Sequence, residues 1–158
     1  MAAPTEEARS VGASFLVIGY GNDLRSDDGA GRRVAALVEA RQLPGVRVLS
    51  VHQLTPELAS DIAEATGVMF ADAVPAAPGA EQPLRCVPLS PAATPTRTLG
   101  HQLDPESLLH LARDLWGRCP PAWLLALPAS VFDFGETLSP RTETAVAEAL
   151  PLIEALLA

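Results

Sequence analysis

The sequence contains no lysine, so all 11 of its basic residues are arginines, set against 19 acidic residues. Without a lysine the chain cannot form a P-loop, whose lysine reaches the nucleotide phosphates. The formal charge of −8 argues against nucleic acid and against an anionic membrane surface as partners, because both would repel an acidic protein. The sequence therefore predicts neither a P-loop protein nor a nucleic-acid-binding protein.

Several nucleophile and metal motifs are also missing. No Gly-x-Ser-x-Gly turn is present, so a serine hydrolase would lack its nucleophile elbow. The two cysteines, Cys86 and Cys119, lie far apart and outside any CxxC or CxxH arrangement. We interpret them as reduced thiols and not as a zinc or redox pair.

The chain has no apolar run long enough to cross a bilayer, and its acidic beginning lacks the basic and apolar regions of a signal peptide. A cytoplasmic location is therefore expected, with no membrane partner. A length of 158 residues with 48% hydrophobic residues predicts one globular domain over residues 15–158, preceded by a flexible tail at residues 1–14.

Apolar runs that read as strands alternate with segments of helical periodicity. This alternation predicts an α/β fold in which a mostly parallel, twisted, five-stranded sheet is sandwiched between helices in three layers. Helix starts are predicted at Thr55, Asp104 and Ser139, each of which precedes a proline. The strands are predicted at 15–19, 46–51, 68–71, 84–87 and 123–127, the fourth at an edge of the sheet.

The most informative segment follows the first strand. Its glycines permit a sharp turn, the paired acids Asp27 and Asp28 come next, and a helix then begins near Gly29. Gly19 and Gly21 suggest a dinucleotide fingerprint, but Leu24 stands where the third glycine is needed and the acids would repel a pyrophosphate. A nucleotide-binding module is therefore disfavoured.

Three ionisable residues lie where this topology could bring them together. Asp28 follows the first strand, Asp72 the third, and His101 opens a helix. Two carboxylates and an imidazole suit nickel, zinc or iron(II), and three protein ligands leave room for water or substrate. The alternatives are a helix cap for Asp28, a turn residue for Asp72 and a solvated loop histidine for His101. His52 could line the same cleft, and His110 is expected in solvent.

The sequence resembles the hydrogenase maturation endopeptidases, the proteases that process the large subunit of nickel–iron hydrogenases. The likeness spans nearly the whole chain, and its strongest element is Gly19-x-Gly21-Asn22-x-Leu24-x-x-Asp27-Asp28-Gly29-x-Gly31. The resemblance implies that Asp28, Asp72 and His101 are the metal ligands and catalytic residues. Further similar segments are Asp72-Ala73 with Gly79, His101-Gln102, and Gly135 with Leu138-Ser139-Pro140.

The resemblance also implies an activity. The enzyme would remove the C-terminal extension of a nickel-loaded large-subunit precursor, which is its partner and supplies the nickel, and the free enzyme would hold no tightly bound cofactor. The metal would polarise the carbonyl or activate a water, and the sequence leaves both open. A non-catalytic assembly factor on the same fold is the alternative. We expect the protein to be a monomer.

Overall fold

The computed structural model describes residues 14–77, 82–93 and 103–158. The predicted tail, apart from Ser14, lies outside these ranges, as do Gly79, His101 and Gln102. The described elements in chain order are β1 (Phe15–Tyr20), a 3₁₀ turn (Ser26–Gly29), α1 (Ala30–Arg41), β2 (Val46–Val51), α2 (Leu58–Glu64), β3 (Gly67–Pro75), β4 (Arg85–Leu89), α3 (Pro105–Trp116), β5 (Ala122–Ala129) and α4 (Pro140–Leu157).

The five strands form one sheet in the order β2-β1-β3-β5-β4. All neighbouring pairs are parallel except β4, which runs antiparallel to β5 at the edge. The predicted mostly parallel five-stranded sheet, with its fourth strand at an edge, is confirmed. None of the helices in the described ranges is long and apolar enough to cross a membrane.

Each face of the sheet carries its own apolar core. Leu16 and Ile18 face a core completed by α2 and α3, whereas Val17 between them faces a core completed by α1 and α4. This alternation follows from the two-residue period of a strand and explains why β1 is apolar on both faces. The predicted three-layer sandwich is confirmed.

Two predicted boundaries are wrong by three residues or more. The helix predicted from Thr55 begins at Leu58, because the Thr55 hydroxyl bonds to the Glu57 carboxylate and the segment forms a turn in which the Leu58 N–H donates to the Thr55 carbonyl (3.1 Å). The third strand continues past Ala71 to Pro75, because β5 pairs with it as far as Ala129. Asp72 therefore lies inside a strand.

Two helix starts agree with their sequence signals. Asp104 is the N-cap of α3, where its carboxylate accepts the Ser107 N–H (2.7 Å) ahead of Pro105. Ser139 is the N-cap of α4 ahead of Pro140. The prediction that His110 lies in solvent is wrong, because it is half-buried and its Nδ1 lies 2.7 Å from the Ala92 carbonyl oxygen, which holds it against the segment before α3.

Candidate functional site

The glycine motif brings the end of β1 against the acidic turn. Gly21 has a φ of 143°, and a Cβ there would collide with the carbonyl oxygen of Asp28. Gly31, at the start of α1, packs just as closely on the carbonyl oxygen of Ala71 in β3. Only glycine permits these two approaches, so the motif holds Asp28 close to the point where β1 and β3 stop pairing.

Asp28 is half-buried in the 3₁₀ turn. Its Oδ2 accepts a hydrogen bond from the backbone N–H of Asn22 (2.8 Å), which fixes the direction of the carboxylate. The N-cap of α1 is Gly29, so the alternative interpretation of Asp28 as the cap of this helix is wrong.

Asp72 faces the same side of the sheet as Phe70, two residues before it. Pairing between β1 and β3 ends at Gly19 and Ala71, so Asp72 is the first residue of β3 that is no longer paired with β1. A place inside a strand contradicts the alternative of a turn residue. The sheet therefore presents this carboxylate where β1 ends, and the ends of strands are where open α/β sheets bind ligands.

The Tyr20 hydroxyl donates a hydrogen bond to the Asp72 carboxylate. Burial, and to a smaller extent the Asp28 charge, raise the pKa of Asp72 to about 6, although the bonds from Tyr20 and from the Ala73 N–H oppose this rise. Burial and the Asp72 charge raise the pKa of Tyr20 far above its usual range. Tyr20 therefore stays protonated and acts as a donor, and Asp72 changes charge close to neutral pH.

Both acids line one cavity of about 180 Å³ at the carboxyl ends of β1 and β2. Its wall consists of Tyr20, Gly21, Asp28, His52, Gln53, Leu54, Asp72, Ala73 and Leu103. A larger cleft of about 410 Å³ lies between α1 and Glu136, but neither Asp28 nor Asp72 lines it. The smaller cavity is the one that holds the candidate chemistry.

The structure thus brings together two of the three predicted ligands. His101 lies outside the described residues, so the complete set stays a prediction. Within residues 14–77, 82–93 and 103–158, no three His, Cys, Asp or Glu side chains form a group that could hold a metal ion. His52 lines the cavity, yet it does not form such a group with Asp28 and Asp72.

Asp27, to which the sequence assigned no role of its own, is a buried anchor with 0% exposure. Its carboxylate accepts hydrogen bonds from the N–H groups of Ser130 (2.9 Å) and Val131 (3.0 Å). It also accepts bonds from the N–H (2.7 Å) and the hydroxyl (2.8 Å) of Ser139. Burial alone would raise the pKa of Asp27, but these donors outweigh it and lower the pKa. No local sequence signal identifies such distant partners.

No protein-family model matches the chain, and no curated protein sequence matches it. Several solved structures are similar to the chain. The hydrogenase maturating endopeptidase HybD from E. coli is similar with a TM-score of 0.76 and 26% identity, over 91% of each chain. The hydrogenase 2 maturation peptidase from a Thaumarchaeota archaeon is similar with a TM-score of 0.66 and 27% identity, over 90% of this chain and 97% of that one.

A third structure, the [NiFe] hydrogenase maturation protease HycI from Thermococcus kodakarensis, shares the fold with a TM-score of 0.68 over 98% of both chains, at 23% identity. The likeness to these proteins covers 90% to 98% of this chain, and it agrees with the family resemblance of the glycine and acid motif. In fold over most of its length, and in the glycine and acid motif, the chain is similar to the hydrogenase maturation endopeptidases.

Proposed function

We propose that this protein is an endopeptidase that removes the C-terminal extension of a nickel-loaded large-subunit precursor of a nickel–iron hydrogenase. The similarity to solved hydrogenase maturation proteases supports a hydrolase that acts in hydrogenase maturation. The observation that carries the finer proposal is that Asp28 and Asp72 line one small cavity at the end of the sheet.

The proposed ligands of the substrate's nickel are Asp28, Asp72 and His101. In the sequence, His101 stands two residues before Leu103, which lines the cavity. Two residues of chain span at most about 7 Å, and this short separation in the sequence supports including His101 in the proposed ligand set. Two carboxylate oxygens and one imidazole nitrogen are a donor set that nickel accepts.

The described wall of the cavity contains neither serine nor cysteine, which favours hydrolysis without a covalent intermediate. Nickel held in the precursor would polarise the scissile carbonyl or activate a water. The protein's own residues hold the geometry for this step. The Asn22 N–H orients Asp28, and the Tyr20 hydroxyl orients Asp72. Asp72 must lose its proton before it binds a cation, and its pKa of about 6 permits this at neutral pH.

The test is a gel-shift assay of purified precursor, loaded with nickel or free of it, mixed with each variant. We expect Asp28→Ala and His101→Ala each to abolish processing, and Asp28→Glu to retain part of it. His110→Gln serves as the control, because His110 bonds to Ala92 away from the cavity wall.

Two results would contradict the proposal. Full-rate processing of nickel-free precursor, or by His101→Ala, would show that the metal on the substrate is not used. Tight binding of the precursor with no cleavage by the unmodified protein would instead indicate a non-catalytic assembly factor.

A further inference from the structure

Three large apolar side chains project into solvent on two adjacent segments, one of which leads from β1 to Asp28. Leu24 is 48% exposed, Val131 38% and Phe134 86%. The segments are joined by backbone hydrogen bonds, from the Gly135 N–H to the Leu24 carbonyl (2.8 Å) and from the Asp27 N–H to the Val131 carbonyl (2.9 Å). We call Leu24, Val131 and Phe134 the apolar rim. An aromatic ring left this open has a cost in water, which points to a surface that is covered in use.

The apolar rim is held rigidly. The buried Asp27 carboxylate accepts hydrogen bonds from the N–H groups of Ser130 and Val131, and the Ser26 hydroxyl donates to the Asp133 carbonyl (2.7 Å). The Arg25 guanidinium stands 6.0 Å from the centre of the Phe132 ring. These bonds fix the backbone on both sides of Phe134, and with it the direction in which the Phe134 side chain leaves the chain. The shape of the apolar rim is preorganised for a partner, which lowers the entropy cost of binding.

One segment of the apolar rim leads directly to the candidate site. Leu24 belongs to the loop whose Asn22 N–H holds Asp28, and Asp28 lines the cavity. A partner that covers Leu24 therefore contacts the loop that orients Asp28. A protein substrate that places a peptide bond in the cavity would meet this surface.

The size of the apolar rim distinguishes between partners. A fully buried aromatic side chain contributes about 150–250 Å², so three partly exposed side chains offer on the order of a few hundred Å². A stable dimer interface needs roughly 800 Å² from each partner. The apolar rim is too small for a permanent dimer and suits a transient enzyme–substrate contact.

The charged residues around the apolar rim indicate a further property of the partner. Asp133 and Glu136 are exposed beside Phe134, Asp23 is exposed beside Leu24, and the whole chain carries a formal charge of −8. Asp23 pairs with Arg32 (3.1 Å), and the exposed Arg25 adds a positive charge next to Leu24. The negative charge of the apolar rim therefore lies on the Phe134 side, at Asp133 and Glu136. Such an edge attracts basic side chains.

We propose that the apolar rim docks the folded body of the precursor, through an apolar side chain flanked by arginine or lysine. This inference rests on the proposed function, because it assigns the recognition surface of that same substrate. The rim would supply affinity for the precursor, and the cavity would supply the chemistry.

The test compares steady-state processing of nickel-loaded precursor by the unmodified protein, Phe134→Ser and the double variant Leu24→Ser/Phe134→Ser. We expect the double variant to raise KM about tenfold or more with little change in kcat. With enzyme in saturating excess, a single turnover should run at the unmodified rate. Leu115→Ser is the matched control, because Leu115 is 63% exposed on α3, away from the apolar rim.

The charge component has its own variant. Asp133→Asn/Glu136→Gln should raise KM a few-fold at low ionic strength and leave it unchanged at 1 M salt, where the screening length falls to about 3 Å. An equal effect at both salt concentrations would contradict the charge assignment.

The docking proposal fails if Phe134→Ser and the double variant leave KM unchanged, or if Leu115→Ser changes it as much. It also fails if sedimentation shows a dimer that Phe134→Ser dissolves, since the apolar rim would then bind a second copy. If the unmodified protein binds the precursor but does not cleave it, the endopeptidase proposal fails by itself. The dissociation constants of the precursor for the same variants then decide about the apolar rim.

Discussion

The carboxylate of Asp27 accepts hydrogen bonds from both the backbone N–H and the hydroxyl of Ser139, although the two residues lie 112 positions apart. This pair ties the acidic turn after β1 to the first residue before α4. Asp28 is the next residue in the chain, so the anchor that closes the fold also fixes the backbone from which a candidate ligand projects.

Replacing this anchor should cost stability. In Asp27→Asn an amide NH₂ must face at least one N–H or O–H donor that the carboxylate now accepts, and a buried donor is left without a partner. We expect the free energy of unfolding in urea at pH 7 to fall by about 1–3 kcal/mol. Ser139→Ala removes only the hydroxyl bond and should cost about 1 kcal/mol.

The lowered pKa of Asp27 also predicts that the stability difference between the unmodified protein and Asp27→Asn depends on pH. Because the folded pKa of Asp27 is lowered, the ionised carboxylate stabilises the fold above its unfolded pKa of about 3.9, and this contribution disappears as the pH falls through the folded value. The difference between the unmodified protein and Asp27→Asn should therefore shrink below about pH 4. A difference that is constant from pH 7 to pH 3 would contradict the assignment.

Asp72→Asn should have the opposite effect on stability. The folded pKa of Asp72 is raised to about 6, so the folded state holds its proton more tightly than the unfolded chain, and stability falls as the pH rises from about 4 to 6. Without that charge the variant should be more stable at pH 8 by on the order of 1–2 kcal/mol and inactive in processing. Thermal unfolding at pH 4 and pH 8 measures this, and a variant less stable at pH 8 would refute it.

Tyr20→Phe tests the bond that orients Asp72. Loss of the hydroxyl removes a donor that lowers the Asp72 pKa, so this pKa should move above 6 while the ring keeps its place in the core. Carbon-13 NMR titration of the aspartate carboxyl groups reads the pKa directly. Processing at pH 6 should fall more than processing at pH 8. An unchanged Asp72 pKa would show that the bond from Tyr20 does not affect it.

Gly21→Ala should prevent the glycine loop from closing. The added Cβ would collide with the Asp28 carbonyl at a φ of 143°, a conformation that alanine avoids. We expect a loss of more than about 2 kcal/mol or no folded protein. Gly117→Ala is the control, because its φ of 70° is also positive but no atom lies within 4 Å of the added Cβ, so it should cost only about 1 kcal/mol.

Much of the fold follows from patterns that act over a few residues. Alternating strands and helices and the prolines around β4 were enough to predict a three-layer α/β fold with its fourth strand at an edge. The antiparallel direction of that strand was not predicted. These signals are local because capping, φ restriction and apolar periodicity depend on near neighbours in the chain. The motif from Gly19 to Gly31 likewise carried the family resemblance and the candidate acids.

The rest depends on residues that meet only when the sheet assembles. Asp72 became a strand residue because β5 continues to pair after β1 has stopped, and the Tyr20 hydroxyl reaches it because both face the same side of neighbouring strands. Asp27 looked like its neighbour Asp28, yet it is fully buried and Asp28 lines a cavity. Strand order and the path of the chain after β5 determine these environments. Neither can be predicted from the few residues that surround each acid in the sequence.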